Sequence, residues 1–327
     1  MVKLQNKVPS VSVIIPNYNH ARFLPQRIES VLEQSFRNFE CIILDDASTD
    51  NSKTVIEQYA AQDARIAFYP SPANSGSPFI QWNKGVKLAK NDLVWIAESD
   101  DHCTPGLLQS LVDCHLQNPA IGLAYCQSNR MNEAGNITGS WKTYTDDLDN
   151  GLFAENFTME GTEFIKRFLV YKNVIPNASA VVFRKSFFNN AGYADESLKT
   201  NSDWLTWLKI GMQAAVSFVA HPHNMFRQHE ASVIAKYSVG SASEYKEKYD
   251  GTMRQKFEDW CKQHAMHPDK KITKVNQQYI SYENGNRGLH LFQQGKFLQA
   301  FPAIAKASVS PHLTLGYLRR LMGRVRQ

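Results

Sequence analysis

The sequence predicts an α/β fold in which a mostly parallel sheet is flanked by helices. Three observations carry the prediction. Apolar runs of strand length alternate with amphipathic stretches of helix length. Clusters of Asn and acidic residues sit at the ends of several runs. The alternation stops near Ala235, beyond which the signals are helical and basic. The expected organisation is therefore a sheet-bearing domain over residues 1–235 and a C-terminal helical extension over 236–327.

Val11 to Pro16 reads as the first strand, and Arg22 to Ser35 as a helix with Phe23, Ile28, Val31 and Leu32 near helical spacing. Phe39 to Leu44 is a second, buried strand. Ser48 and Asp50 are N-cap types before a helix striped by Val55, Ile56, Tyr59 and Ala60. Arg65 to Tyr69 is the third strand, Pro70 to Pro78 a turn-rich loop, Phe79 to Lys90 a helix and Asp92 to Ala97 the fourth strand. A helix over Pro105 to Gln117 and a strand over Ile121 to Cys126 follow. Asn129 to Asn156 is polar with scattered aromatics, a surface excursion or an acceptor-facing loop. Regular patterning returns with helix Gly161 to Tyr171, strand Ala178 to Arg184, helix Ser202 to Gln213 and strand Val216 to Ala220. Trp204, Leu205, Trp207 and Leu208 give the last helix a broad apolar face, which is core or a shelf for a sugar ring.

With 43% hydrophobic and 20% charged residues among 327, disorder and collagen-like repeats are excluded. The net charge of +5 is unevenly placed. Residues 265–327 carry ten Lys/Arg against two acids, leaving 26 basic and 29 acidic residues in the first 264. Five cysteines without a CxxC pair support neither a disulfide framework nor a zinc ribbon. The apolar run Val11 to Ile15 is too short for a secretory segment and no stretch reaches membrane-spanning length, so a cytoplasmic protein is expected, soluble or at most peripheral on the inner face of the membrane. In the tail, Leu313, Leu315, Leu318, Leu321, Met322 and Val325 interleave with Arg319, Arg320, Arg324 and Arg326. This suits an amphipathic helix on an anionic membrane surface, or one packed on the rest of the protein. A nucleic-acid partner is not expected, because the remainder is acidic and no recognised motif is present.

In an open parallel sheet, ligands bind beyond the carboxyl ends of the strands. The first strand ends in Pro16-Asn17-Tyr18-Asn19-His20, the second in Asp45-Asp46-Ala47-Ser48-Thr49-Asp50 and the fourth in Glu98-Ser99-Asp100-Asp101. Converging carboxylates require a cation, and Mg²⁺ or Mn²⁺ carrying a diphosphate is the economical choice. Neither a GxGxxG turn nor a GxxxxGK[ST] loop is present to hold phosphate through backbone amides. Tyr18 offers a face for base stacking, and Asp46 a carboxylate for the imide N–H of uracil or thymine. Asp50 reads as a helix cap. Asp203 is a candidate general base or a partner of its helix's N-terminal dipole.

The elements VSVIIPNYNH, LDDASTD, Asn74-Ser75-Gly76 with Asn83, ESDD, and NSDWLTWLKI followed by RQH occur in one order over roughly residues 10 to 230. Together they resemble the inverting family 2 glycosyltransferases, which have a Rossmann-like, glycosyltransferase A-type fold. The resemblance implies that Pro16, Tyr18, Asp46, Gly76, Asn83, Glu98 and Asp100 bind the nucleotide sugar. It further implies that Asp101, Asp100 and His229 hold the metal and that Asp203 is the general base. Glu98 stands where Asp is common, and Trp82 precedes Asn83 where a basic residue is frequent. No QxxRW-like sequence follows Asp203, which disfavours a processive synthase. The implied activity is metal-dependent transfer from a nucleotide-diphosphate sugar, UDP favoured, to a hydroxyl of a glycan or glycolipid, as in bacterial surface polysaccharide assembly. A non-catalytic nucleotide-sugar-binding protein is the alternative.

Overall fold

The computed structural model describes residues 9–149, 151–230, 232 and 242–307. In chain order the elements are β1 (Val11–Asn17), α1 (Leu24–Leu32), β2 (Phe39–Asp45), α2 (Ser52–Gln62), β3 (Ile66–Pro70), α3 (Pro78–Leu88), β4 (Leu93–Ile96) and β5 (His102–Cys103). They continue with α4 (Leu107–Gln117), β6 (Ile121–Met131), β7 (Ile137–Ser140), α5 (Asp146–Asp149), β8 (Phe157–Met159), α6 (Gly161–Phe164), β9 (Val181–Arg184), α7 (Lys185–Asn190), α8 (Ser202–Gly211) and β10 (Ala215–Arg227). Three helices follow: α9 (Ala242–Gln263), α10 (Lys270–Gln293) and α11 (Phe297–Ala307). The expected boundary at 235/236 and the basic segment 313–326 lie outside the described residues.

One sheet runs β3-β2-β1-β4-β9-β6-β10-β5, with β7 on β6 and β8 on β10. Strands β3, β2, β1 and β4 are mutually parallel, as is the β6–β10 pair. β9 joins these two blocks by running antiparallel to both β4 and β6. A fully buried strand carries the same apolar signal in either direction, so its reversal leaves no mark in the sequence. β10 also extends seven residues past the expected Ala220, and the short β5, β7 and β8 pair along its edge or on β6.

Alternation along β1 sends Val11, Val13 and Ile15 to one face and Ile14 to the other. The first face is covered by α1, α2 and α4 through Leu24, Ile28, Val31, Ile56, Leu108 and Leu111. The second is covered by α3 and α8 through Phe79, Trp82, Val86, Trp204 and Trp207. Both tryptophans of α8 are thus core, and Trp204 Nε1 donates to the Leu169 carbonyl at 2.9 Å. Gly85 lets α3 lie against β1, since a Cβ there would stand 2.4 Å from Ile14 Cγ2.

The C-terminal helices share this second layer. Met253, Phe257 and Trp260 of α9 and Ile272 of α10 belong to the same apolar cluster as α8. Arg254 is buried, donates to the Val170 carbonyl at 2.8 Å and lies 4.9 Å from the Trp204 ring and 4.2 Å from the Tyr279 ring. α11 instead exposes Phe297, Leu298 and Phe301, with Leu298 92% accessible. Among the described residues, no helix is long and apolar enough to cross a membrane.

Candidate active site

The crevice is built where β1, β2 and β4 end. Pro16 occupies the last part of β1 without costing a ladder bond to β4, because that pairing stops at Ile14 opposite Ile96. Asn19 then takes a left-handed conformation, φ 57°. Its amide donates to Ser48 Oγ at 2.9 Å and its side-chain oxygen accepts from the Thr49 amide at 2.7 Å. This cross-strand clasp presents Tyr18, 42% exposed, and His20 at the crevice. The N-cap position of α2 is Asn51 rather than the expected Asp50, which lies one residue earlier, accepts from the Ser52 and Ala21 amides, each at 2.9 Å, and so clasps the start of α2 to the β1 end.

His20, Asp100 and His229 converge from three strand ends. One nitrogen of each imidazole and one carboxylate oxygen lie within 4.8 Å of one another, the only such group among the described residues. His229 Nε2 is 3.0 Å from Asp100 Oδ2, while its buried Nδ1 has no hydrogen-bond partner. His20 Nδ1 is 2.8 Å from Ser99 Oγ. Burial by itself would raise the Asp100 carboxyl, but the His229 hydrogen bond and the two nearby imidazoles hold it below the ordinary carboxylate value. Two nitrogens and an anionic oxygen at this spacing fit a divalent cation. His20 is the ligand-type residue that sequence reading overlooked.

Asp101 does not join this group. It is 1% exposed; Oδ1 accepts the Arg227 amide at 2.9 Å, Oδ2 accepts from Asn177 Nδ2, and Arg27 NH2 lies 3.9 Å away. Each of its oxygens already accepts a hydrogen bond within the protein, and neither is among the three clustered ligand atoms. Burial and the charge of Asp100 push its carboxyl up to about 7, against the pull of Arg27. Arg27 donates to the Glu98 carbonyl at 2.8 Å and to Ser179 Oγ at 3.1 Å, and Arg227 donates to the Asp100 carbonyl at 2.6 Å. Two buried arginines thus grip the backbone of the acidic segment.

The two departures from the family pattern meet each other. Trp82 Nε1 donates to Glu98 Oε1 at 2.8 Å, a contact that the longer Glu arm makes. Burial, then the charges of Asp100 and Asp101, push the Glu98 carboxyl up to about 8. Asp46 is buried under residues 74–77, accepting from the Ser75 amide at 3.0 Å, Ser75 Oγ at 2.7 Å and Gln81 Nε2 at 2.5 Å. Gly76, at φ +72°, makes the turn of that loop, and its amide donates to Asn74 Oδ1 at 2.8 Å. Asn83 is engaged elsewhere: Nδ2 donates to the Ala194 carbonyl at 2.9 Å and to Glu196 at 2.8 Å, and Oδ1 accepts the Ala194 amide at 3.0 Å. Both of its amide donors are used in holding the 194–196 loop, which leaves none for a phosphate.

Asp203, the second residue of α8, is half-buried and accepts from Asn173 Nδ2 at 2.9 Å. Burial raises its carboxyl above the ordinary value against the Trp204 amide and Asn173. Asn173 and Asn177 are four residues apart, at most about 14 Å of chain. The first holds Asp203 and the second Asp101. One short strap therefore ties the candidate base to the acidic segment.

Comparison with known proteins places this site in context. The chain is 25% identical over 226 residues, 68% of its length and 66% of the relative's, to the GalNAc(5)-diNAcBac-PP-undecaprenol beta-1,3-glucosyltransferase of Campylobacter jejuni. It spans less than half the length of the first curated relatives it matches. Its fold is similar to that of S. aureus TarS 1-349 in complex with UDP-GlcNAc, with TM-score 0.65 and 17% identity, covering 91% of this chain and 81% of that one. It is also similar to the mannosyltransferase PcManGT from Pyrobaculum calidifontis in complex with GDP-Man and Mn2+, with TM-score 0.60 and 14% identity, covering 97% and 81%. Residues 12–189, more than half of the chain, match the family model described as glycosyl transferase family 2, and the chain belongs to that family.

Proposed function

We propose that this chain is a metal-dependent, inverting, non-processive glycosyltransferase. It moves a sugar from a nucleotide diphosphate, UDP by preference, to a hydroxyl of a glycan or lipid-linked saccharide in bacterial surface polysaccharide assembly. The observation that carries the reading is a carboxylate and imidazole cluster at the strand ends, strapped through Asn173 and Asn177 to a half-buried, basicity-enhanced Asp203. The UDP-GlcNAc and GDP-Man complexes of proteins with this fold support a nucleotide-sugar donor.

Asp100 and His229 would hold Mg²⁺ or Mn²⁺, which supplies positive charge to the departing diphosphate. Tyr18 stacks on the base. Asp46 keeps about one of its four acceptor sites for an imide N–H, beside the Ser75 hydroxyl. Glu98, oriented by Trp82 Nε1, hydrogen-bonds a hydroxyl of the donor. Asp203 accepts the proton of the acceptor hydroxyl as its oxygen bonds to the anomeric carbon from the face opposite the leaving group. The anomeric C–O bond to phosphate breaks, the nucleoside diphosphate leaves with that electron pair, and Asp203 returns its proton to solvent. Asp203→Asn should reduce transfer at least a thousandfold, with donor affinity within a few-fold of the wild type. Unchanged turnover, or a product that retains the donor's anomeric configuration by NMR, would overturn the mechanism.

The reading includes peripheral attachment to an anionic inner membrane face. It is supported by the exposed Phe297, Leu298 and Phe301 and by the four arginines beyond them. The full chain should pellet with phosphatidylglycerol vesicles and a chain ending at His312 should pellet less; equal pelleting would refute it.

A further inference from the structure

Resting on the divalent-cation reading above, we infer that His20 is the third protein ligand of that cation and that it biases the site toward Mn²⁺ over Mg²⁺. The seat of His20 is built rather than incidental. Asn19 turns the chain in its left-handed conformation and is clasped by Ser48 and Thr49. The His20 carbonyl then accepts the Phe23 and Leu24 amides at 2.9 and 3.0 Å, which fixes its backbone at the entry to α1. Ser99 Oγ holds Nδ1 at 2.8 Å, so Nε2 is the nitrogen that ligates, an arrangement in which an outer hydrogen bond orients a ligand imidazole. The residue that orients His20 is part of the acidic segment itself, one position before Asp100. The His20 and His229 rings stand 5.5 Å apart at 82°, edge to face, with an Asp100 oxygen within 4.8 Å of one nitrogen of each ring.

Donor chemistry gives the selectivity. Mg²⁺ prefers oxygen ligands and sheds water reluctantly, whereas Mn²⁺, though also at home with oxygen, exchanges water for an imidazole nitrogen more readily than Mg²⁺ does. With Asp100 and His229 alone the protein would offer one oxygen and one nitrogen, a set that Mg²⁺ tolerates with its remaining waters. A second imidazole replaces a water oxygen by nitrogen, which benefits Mn²⁺ and leaves Mg²⁺ little changed.

The test is metal binding by the full chain without donor sugar, followed by isothermal titration and by electron spin echo spectroscopy of bound Mn²⁺. Wild type should bind Mn²⁺ at least tenfold more tightly than Mg²⁺ and show nitrogen coupling from two imidazoles. His20→Ala should weaken Mn²⁺ about tenfold or more, leave Mg²⁺ within about threefold and reduce the coupling to one imidazole. Ser99→Ala keeps the imidazole and should give a smaller loss with both couplings present, which guards against a folding defect in the first variant. Unchanged Mn²⁺ affinity and coupling in His20→Ala overturns the inference while leaving the cation reading intact. Failure of wild type to bind either ion overturns both.

Discussion

Asp100 and Asp101 are consecutive in the chain, yet they belong to regions of opposite character. Asp100 faces two imidazoles at the crevice and is held below the ordinary carboxylate value. Asp101 lies in the pocket beneath, where the Arg227 amide, Asn177 and Arg27 take up its oxygens and burial pushes it up to about 7. The difference shows that an acidic run at a strand end is layered. One carboxylate faces the crevice, and the next fastens the strand end so that the first stays in place.

The sharpest way to break this comparison is to disturb the lower layer. Arg27 is fully buried, and Arg27→Leu leaves Asp101 without its guanidinium neighbour, so stability should fall by about 3–5 kcal/mol in urea unfolding. Asp100→Ala should cost no more than about 1 kcal/mol in the same measurement while removing Mn²⁺ binding. If both variants lose stability equally, the two layers are not distinct.

A second test asks whether burial costs of this kind extend outside the crevice. His115 on α4 donates from Nε2 to the Val182 carbonyl of β9 at 3.0 Å, and burial pushes its imidazole down to about 4. A depressed histidine is neutral in the folded protein and charges more readily when unfolded. Its contribution is therefore complete above pH 6.5 and is lost as pH falls toward about 4, by roughly 3 kcal/mol. His115→Phe should flatten that part of the stability profile; an unchanged acid slope would refute the assignment.

The parallel block was legible in the sequence because each of its strands is a short apolar run ending in polar punctuation, and the crevice residues are that punctuation. Arg27 was hidden for the opposite reason. It sits in the stripe Leu24, Ile28, Val31 of α1, where a charge reads as an interruption of the buried face and is in fact its deepest polar member. His20 was seen in its motif but given no role, because its partners Asp100 and His229 lie on distant segments and only the fold assembles them. Strands β5, β7 and β8, two to four residues long, are too short for any periodicity to declare itself. The Asn173 to Asn177 strap carries no helical or strand pattern; its importance lies wholly in which carboxylates its two amides touch.

The shift to basic composition near Ala235 marks a change of surface, whereas the core continues across it. Arg254 of α9 grips the carbonyl of Val170, three residues before Asn173, and Asp250 bonds the side chain of Asn201, two residues before Asp203. The C-terminal helices therefore act as a buttress behind the carboxylate of Asp203. A chain trimmed at the compositional boundary would lose the back wall of the Asp203 seat, and its folding would report that loss before any question of attachment arose.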